Sequence, residues 1–463
     1  MWFHVKPTRD PCAISIGWRV RDRILSIVIR AWVRLFDSGE QPPSFLSNSA
    51  IIRLLTTFAH LYGFEAKQVL QEETGRRAAW NLIKSVSDFG IETPQRFRAP
   101  ISVVWSLSYR CNLRCKHCYQ NAGQPSSDEL TIDEQLSVVH QMARAGVSMV
   151  VLSGGEPLTN PNLERLIGEI RAHGMVVSVD SNGVLMDKAT VEYLRQLGVS
   201  SVELSLDSAN PESHDDFRGL DGAFEKTLDA VELCSKAGIF TTVATTATTL
   251  NFVDSRALIQ LARSHGAKRV VFFDLIPAGR GREIQDIRLS RLQLVELMTL
   301  VREECSRDRG EVFAELPQYA VYSLFGDGGS VSDDSVKALS VERFTVSSFF
   351  DCAGRNSIYR RFAAYLGGCP AGRLYCNIQP NGDVTPCMFM PNYPVAGNLR
   401  RQSFAEIWKS PAFEALRERR RLKGKCRLCR YMTICGGCRA KALAYQGDYL
   451  ASDPTCPIDA EAS

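Results

Sequence analysis

No stretch of the chain reaches the roughly 18 to 20 consecutive uncharged apolar residues that cross a bilayer. The nearest candidate, Ile24 to Phe36, is broken by Arg30 and Arg34, so no spanning helix is expected. The opening residues, MWFHVKPTRDPC, lack the layout of a secretory signal. Without one, the fifteen cysteines are not expected to form a disulfide scaffold, a device of short chains in oxidising compartments. A reduced, cytoplasmic setting with metal-bound thiolates is the expectation. Charge of one sign is scarce too: the net charge is only +4, and aromatics do not alternate with basic residues. No nucleic-acid partner is therefore expected. No serine triad or paired-carboxylate motif stands out, so the chemistry is sought elsewhere.

A chain of 463 residues exceeds one ordinary core, and about two or three domains are expected. Residues 1–100 read as a helical cap or docking region, with helices over Trp18 to Phe36, Ala50 to Tyr62 and Ala66 to Val86. In the first of these, Arg19, Arg23, Arg30 and Arg34 gather on one face, opposite Ile24, Val28, Trp32 and Phe36. That pattern suits peripheral contact of residues 18–36 with an anionic membrane surface, and equally a helix packed on the protein with a solvated basic face.

From Ile101 the chain alternates apolar runs with amphipathic stretches. Strands are expected at Ile101 to Ser108, Val147 to Ser153, Met175 to Asp180, Ser201 to Leu206, Phe240 to Thr246 and Arg269 to Ile276. Helices are expected at Ile132 to Ala145, Asn162 to His173, Lys188 to Leu197, Ala223 to Ala237 and Val253 to Ser264, several closed by a glycine such as Gly146, Gly174, Gly198 or Gly238. Six such units predict an α/β fold, a parallel sheet with outer helices that curls into a barrel or an open part of one. Chemistry then belongs at the carboxyl ends of the strands. A helical connector (Ser290 to Cys305) and a Gly/Ser/Asp-rich loop near Gly326 to Ser335 complete residues 281–360. Cys234 and Cys305 sit among apolar neighbours as small core residues; Cys12 and Cys352 have no assigned role.

Directly after the first strand, WSLSYRCNLRCKHCY places Cys111, Cys115 and Cys118 in a CxxxCxxC spacing. Three thiolates do not complete a tetrahedral zinc shell, but one bent loop can carry them to three corners of an iron-sulfur cube. A structural zinc knuckle is the alternative for the triplet alone. The motif, with His117 before the last cysteine, resembles the radical S-adenosylmethionine (SAM) superfamily. That resemblance implies a [4Fe-4S] cluster whose open iron binds SAM, and a partial (β/α)6 barrel over residues 101–280. It also assigns SAM contacts. Gly154, Gly155, Glu156 and Pro157 match the GGEP motif that meets the SAM amino group, and Ser181, Asn182, Ser205 and Asp207 lie at the ends of strands three and four. Arg218 is implied as a partner for the SAM carboxylate, and Ile276 as a surface for adenine. His214 and Asp216, in the same loop as Arg218, read as caps or surface groups.

The last hundred residues repeat the theme. Cys369, Cys376 and Cys387 precede CxxCxxxxxCxxC at Cys426, Cys429, Cys435 and Cys438, and Cys456 follows. Over 361–463 this resembles the SPASM extension, which implies two auxiliary [4Fe-4S] clusters, one on Cys369, Cys376, Cys387 and Cys438, the other on Cys426, Cys429, Cys435 and Cys456. CGGC stands where that pattern has CxxxC. A pair of zinc sites is the rival reading. The basic run from Arg417 to Lys425 reads either as a solvated helix face or as positive charge beside the clusters. HDDFRGLDGAFEKTLDAVELC and CGGCRAKALAYQGDYLASDPTC resemble the haem branch of the superfamily, which implies oxidative remodelling or decarboxylation of a tetrapyrrole side chain. A peptide maturase, a membrane-associated lipid-modifying enzyme and a dedicated electron carrier are the competing expectations. Sulfatase-maturing relatives carry Asp after the cysteine equivalent to Cys387; here it is Met388. The resemblance also implies an electron donor such as flavodoxin or ferredoxin.

Overall fold

The computed structural model of the chain describes residues 73–308, 312–325 and 367–458. The helices expected over 18–36 and 50–62, the start of the one over 66–86, the loop near 326–335, Cys12 and Cys352 lie outside the described residues. So does the proposed membrane-contact segment. Among the described residues, no helix is long and apolar enough to cross a membrane.

After α1 (Glu73–Phe89), strand and helix alternate as the patterning requires. The order is β1 (Ser102–Ser106), α2 (Ile132–Ala145), β2 (Met149–Ser153), α3 (Leu163–Ala172), β3 (Val176–Ser181), α4 (Lys188–Gln196), β4 (Ser201–Ser205), α5 (Pro211–Arg218), α6 (Ala223–Lys236), β5 (Phe240–Ala247), α7 (Ser255–Ser264) and β6 (Arg269–Asp274). Local chemistry sets the ends. Thr131 and Glu134 form a reciprocal capping box at the start of α2, and Gly146 closes it in the left-handed conformation, φ 96°.

The strands are rich in β-branched residues, and pleating sends successive side chains to opposite faces. Val103, Val150 and Val177 are register partners across β1, β2 and β3, and all three are fully buried in the main core. Each contributes about 1.5 kcal/mol or more by leaving water. Their neighbours Val104, Val151 and Ser178 line the inside of the curled sheet. That inner face is where a cavity forms. Outside, α2 and α3 are also tied at the surface, where Glu169 accepts from the His140 ring at 2.6 Å and the His173 ring at 3.3 Å.

The sheet extends past the six expected strands on both sides. Next to β6 lies β7 (Val312–Ala314), which follows α8 (Arg291–Asp308) and precedes α9 (Tyr319–Phe325). On the opposite edge, β8 (Tyr375–Ile378) pairs in parallel with β1, then β9 (Asp383–Thr385) and β10 (Gly397–Asn398) follow antiparallel. The order is β10-β9-β8-β1-β2-β3-β4-β5-β6-β7. The C-terminal cysteine region thus continues the main sheet. Short helices complete it: α10 (Phe404–Ile407), α11 (Pro411–Arg417), α12 (Gly424–Leu428) and α13 (Arg439–Gln446).

One expectation is corrected. His214, Asp216 and Arg218 stand on a helix, α5, rather than in a loop. Asn210 caps it by accepting from Ser213 N, Pro211 occupies the first turn and Gly219 ends it at φ 72°. His214 is fully buried rather than a surface group.

Candidate functional site

The loop carrying Cys111, Cys115 and Cys118 starts where β1 ends and is pinched at its neck, where Cys111 N donates to Gly123 O and Gly123 N to Tyr109 O. Backbone N–H groups turn inward to the sulfurs, Leu113 N to Cys111 Sγ at 3.4 Å and Ala122 N to Cys118 Sγ at 3.3 Å. Arg218 Nη1 lies 3.8 Å from Cys115 Sγ. Burial pushes the Cys111 thiol up to about 12, and Cys115 and Cys118 add to it by mutual repulsion. Neighbouring sulfurs met by N–H donors suit a group that takes thiolates, and three corners of a cubane lie farther apart than the ligands of a single ion. From outside, Arg280 clasps the loop, with Nε donating to Cys115 O at 2.8 Å and Nη1 to Ala122 O at 2.9 Å.

The GGEP turn supports this loop from below. A Cβ on Gly155 would sit 2.2 Å from Arg110 O, and one on Gly154 2.8 Å from Ser108 O. The N–H groups of Gly155 and Glu156 donate to these same two carbonyls. Both glycines therefore serve close backbone approach to the cysteine loop. The Glu156 carboxylate is buried and accepts from Leu158 N, Ser181 Oγ and Asn182 N. Burial nonetheless raises it to about 7. Pro157 opens the turn that Glu156 caps. Asn182 reaches from β3 to Asn112 inside the cysteine loop, at 2.8 Å.

At the end of β4, Asp207 is buried and pairs with Arg218 Nη2 at 2.7 Å. Burial alone would raise this carboxyl; the Arg218 guanidinium overrides it and holds it below its ordinary value. His214 Nδ1 accepts from Asp207 N. His117 lies flat on Phe217, centroids 4.4 Å apart. Burial lowers it to about 4 against the pull of Asp207, so it is neutral. His117, Asp207, Arg218 and Cys115 thus form one cluster. Ser205 ends β4, pairing with Ala244 of β5. Ile276 has neighbours the sequence did not indicate: it packs with Cys369, Cys387 and Met390 of the C-terminal region.

The C-terminal thiols divide unequally. Cys426, Cys429, Cys435 and Cys456 interact electrostatically as one set. Cys369, Cys387 and Cys438 form another, with Tyr375 Oη donating to Cys387 Sγ at 2.7 Å. Cys376, expected with the second set, is set apart from it. It lies on β8 opposite Val103, fully buried in the main apolar core. Strand alternation is the reason: Tyr375 faces the cavity, so the next side chain faces away. The glycines of CGGC also have a cause. Gly436 and Gly437 both have positive φ, and a Cβ would meet Arg419 Nη1 at 2.3 Å and Cys426 Sγ at 2.8 Å respectively.

One cation, Arg419, lies within reach of both sets. Arg417 and Arg419 of the basic run are buried, so the solvated-face reading holds only for its exposed members, such as Arg420, Arg421, Lys423 and Lys425. Arg419 donates to Cys369 O at 3.0 Å, and Cys369, Cys435 and Cys426 all act on its charge. Burial lowers its pKa, a cost that anionic thiolate clusters on both sides would offset. Two further residues escaped the sequence reading. Asp453 is buried and accepts from Cys438 N at 2.9 Å. Lys441, also buried, pairs with Asp274 at the end of β6. Neither belongs to a spacing motif; only tertiary burial singles them out.

A cavity of about 260 Å³ lies inside the curled sheet; Cys369, Cys387 and Cys438 form part of its wall, and Asp180, Glu203 and Arg269 line its strand side. Burial and the charges of Glu203 and Glu156 push the Asp180 carboxyl upward, and burial with the charge of Glu315 raises Glu203 to about 7. Tyr119, next to Cys118, meets Phe389, near Cys387, edge to face at 5.1 Å. One aromatic contact therefore bridges the two cysteine regions.

Residues 105–264 match the radical SAM superfamily, and residues 369–430 match the SPASM iron-sulfur cluster-binding domain. The chain is 32% identical over 360 residues to the AdoMet-dependent heme synthase of Methanosarcina barkeri, covering 77% of this chain and 96% of that one. It is 30% identical over 366 residues to the pre-heme d1 synthase of Dinoroseobacter shibae, covering 77% and 86%. Among solved structures it resembles Streptococcus suis SuiB bound to precursor peptide SuiA, with TM-score 0.59, 15% identity and coverage of 83% and 80%.

Proposed function

The chain belongs to the radical SAM superfamily, and from that premise we propose that it oxidatively remodels an acidic side chain of a tetrapyrrole. The observation that carries this reading is the cavity shared by the strand interior and the Cys369, Cys387 and Cys438 wall. A substrate group seated there lies against the Cys369, Cys387 and Cys438 set, with Phe389 of the wall in contact with Tyr119 of the first loop. The similarity to proteins named heme and pre-heme d1 synthases supports the substrate class.

When bound, the cluster of the first loop and SAM together supply a 5'-deoxyadenosyl radical for hydrogen abstraction, and auxiliary clusters take up an electron. The chain's own work is to bind, orient and shield. Cys111, Cys115 and Cys118 would hold the first cluster, with Cys115 against the Arg218–Asp207 pair. The GGEP turn and Asn182 fix that loop at the strand ends, where SAM binds. Arg218 keeps its Nε unbonded, a donor available to a carboxylate. In the cavity, burial and neighbouring carboxylates favour the protonated forms of Asp180 and Glu203. A protonated carboxyl donates a hydrogen bond to a substrate carboxylate where an ionised one would repel it. Phe273 and Phe389 close the apolar part of the wall.

The test is anaerobic incubation of reconstituted protein with SAM, reductant and an iron porphyrin bearing propionates. Expected are 5'-deoxyadenosine and a porphyrin lighter by carbon dioxide and two hydrogens, one hydrogen leaving to the 5'-deoxyadenosyl radical and the other as a proton with one electron taken up. Turnover of a peptide with none of the porphyrin would replace this reading by a peptide maturase, and absence of 5'-deoxyadenosine with any candidate would remove the radical mechanism.

A further inference from the structure

Residues 420–430, RRLKGKCRLCR, hold six basic side chains and no acidic one. All six, Arg420, Arg421, Lys423, Lys425, Arg427 and Arg430, are exposed. Glu418 lies 3.6 Å from Arg421, and Asp448 lies 2.6 Å from Lys423. Arg420, Lys425 and Arg427 meet no carboxylate among the described ion pairs. In their midst Leu428 stands 84% exposed, the most exposed large hydrophobic side chain among the described residues. It immediately precedes Cys429, which is itself only half-buried.

An apolar centre ringed by like charges is costly on a solvated surface and characteristic of one that meets a partner. The ring selects the partner by sign, and the neighbouring thiols by chemistry. We infer that this face docks an acidic one-electron carrier protein, of the flavin or iron-sulfur class, which in its oxidised form takes one electron from the reduced group held by Cys426, Cys429, Cys435 and Cys456. The inference rests on the electron-uptake role proposed above. The step balances: one electron leaves the auxiliary site, the carrier is reduced by one electron, and no bond is made or broken. Three features fit such a transient contact. Its apolar core is one side chain, its charges lie at the rim where they accelerate encounter, and its footprint is of the small kind typical of redox pairs. The buried Arg419 connects this set to the Cys369, Cys387 and Cys438 set behind it, so the docking face is the outer end of the route from the cavity.

The holoenzyme, reduced with dithionite and freed of it, is mixed with oxidised flavodoxin in a stopped-flow instrument while semiquinone formation is followed; a small neutral quinone serves as parallel oxidant. Electron transfer to flavodoxin should slow as salt rises. The Arg420→Glu/Lys425→Glu variant should be about tenfold slower or more at low salt, on the scale of electrostatic steering, and Leu428→Asp should be slowed at every salt concentration. Both variants should keep wild-type iron content and the wild-type rate with the quinone. Equal flavodoxin rates in wild type and variants, or a rate indifferent to salt, would overturn the inference, as would wild-type binding to anionic vesicles that the same substitutions abolish. No substrate is present, so a wrong substrate assignment leaves this outcome untouched.

Discussion

The Cys111–Cys118 loop and the C-terminal cysteine region meet the same demand, holding several thiols close together, by opposite means. The first is a loop at the strand ends, closed at its neck by Gly123 and propped on the Gly154–Gly155 turn. Its one buried cation near sulfur, Arg218, is matched by the buried carboxylate of Asp207. The second is enclosed, and Arg417 and Arg419 are buried in it. In the first region the cation is matched by a carboxylate; in the second Arg417 is matched by Glu414, while Arg419 faces thiols of both sets. The first thus presents its thiols at the strand ends, and the second sets a buried cation among its thiols, where it would tune what they hold.

The largest expected effect comes from removing the first set. With Cys111, Cys115 and Cys118 changed to Ala, SAM cleavage should disappear, and about two thirds of the iron should remain if the three sites are independent. Cys429→Ala/Cys435→Ala should do the reverse, leaving SAM cleavage to 5'-deoxyadenosine intact while product formation stops. Iron analysis and chromatography of both variants check the pair. Loss of all iron in either would dissolve the distinction between the regions.

Next in size is Arg218→Gln, which leaves the buried Asp207 carboxylate without its cation. Breaking a buried pair costs about 3–5 kcal/mol. Iron in the first site should fall while the C-terminal sites keep theirs, as cluster-specific paramagnetic spectra would show; unchanged spectra and unchanged thermal stability would mean the pair is not structural. Arg419→Gln sharpens the comparison from the other side. Removing a buried positive charge between two anionic groups should lower the reduction potentials of both auxiliary clusters and leave the first cluster unaltered. A spectroelectrochemical titration reads all three, and a shift confined to the first cluster would refute the assignment.

Much of this arrangement was legible before the structure. The strand–helix units follow from β-branched runs and capping signals, and the cysteine groups from spacing, because both are local. The signals for α5 were also present, in Asn210, Pro211 and Gly219; reading HDDFRG as a loop overlooked them. What spacing could not convey was direction and burial. Arg417 and Arg421 belong to the same basic run, yet one is buried and the other exposed. Asp453 and His214 become significant only once folding places them beside Cys438 N and Asp207 N. Gly154 and Gly155 were expected to approach a ligand, while their close contacts are with the cysteine loop.

Cys376 shows that limit most sharply and yields the smallest predicted effect. Its place in the sequence, between Cys369 and Cys387, recommends it as a ligand. Its place on β8 does not, because the pairing of Ser102 with Tyr375 and Val103 with Cys376 sends Tyr375 to the cavity and Cys376 to the core behind the sheet. Burial pushes its thiol far up, and the one charged neighbour that acts on it is Arg417, so it resists ionisation and behaves as a small apolar side chain. Cys376→Ala should therefore keep full iron content and cluster spectra, with a loss of stability of about 1 kcal/mol from the small void. The contrast is Cys387→Ala, which should deplete one auxiliary site. Loss of about one third of the iron in Cys376→Ala would instead require β8 to turn over, and with it the register that joins the C-terminal region to β1.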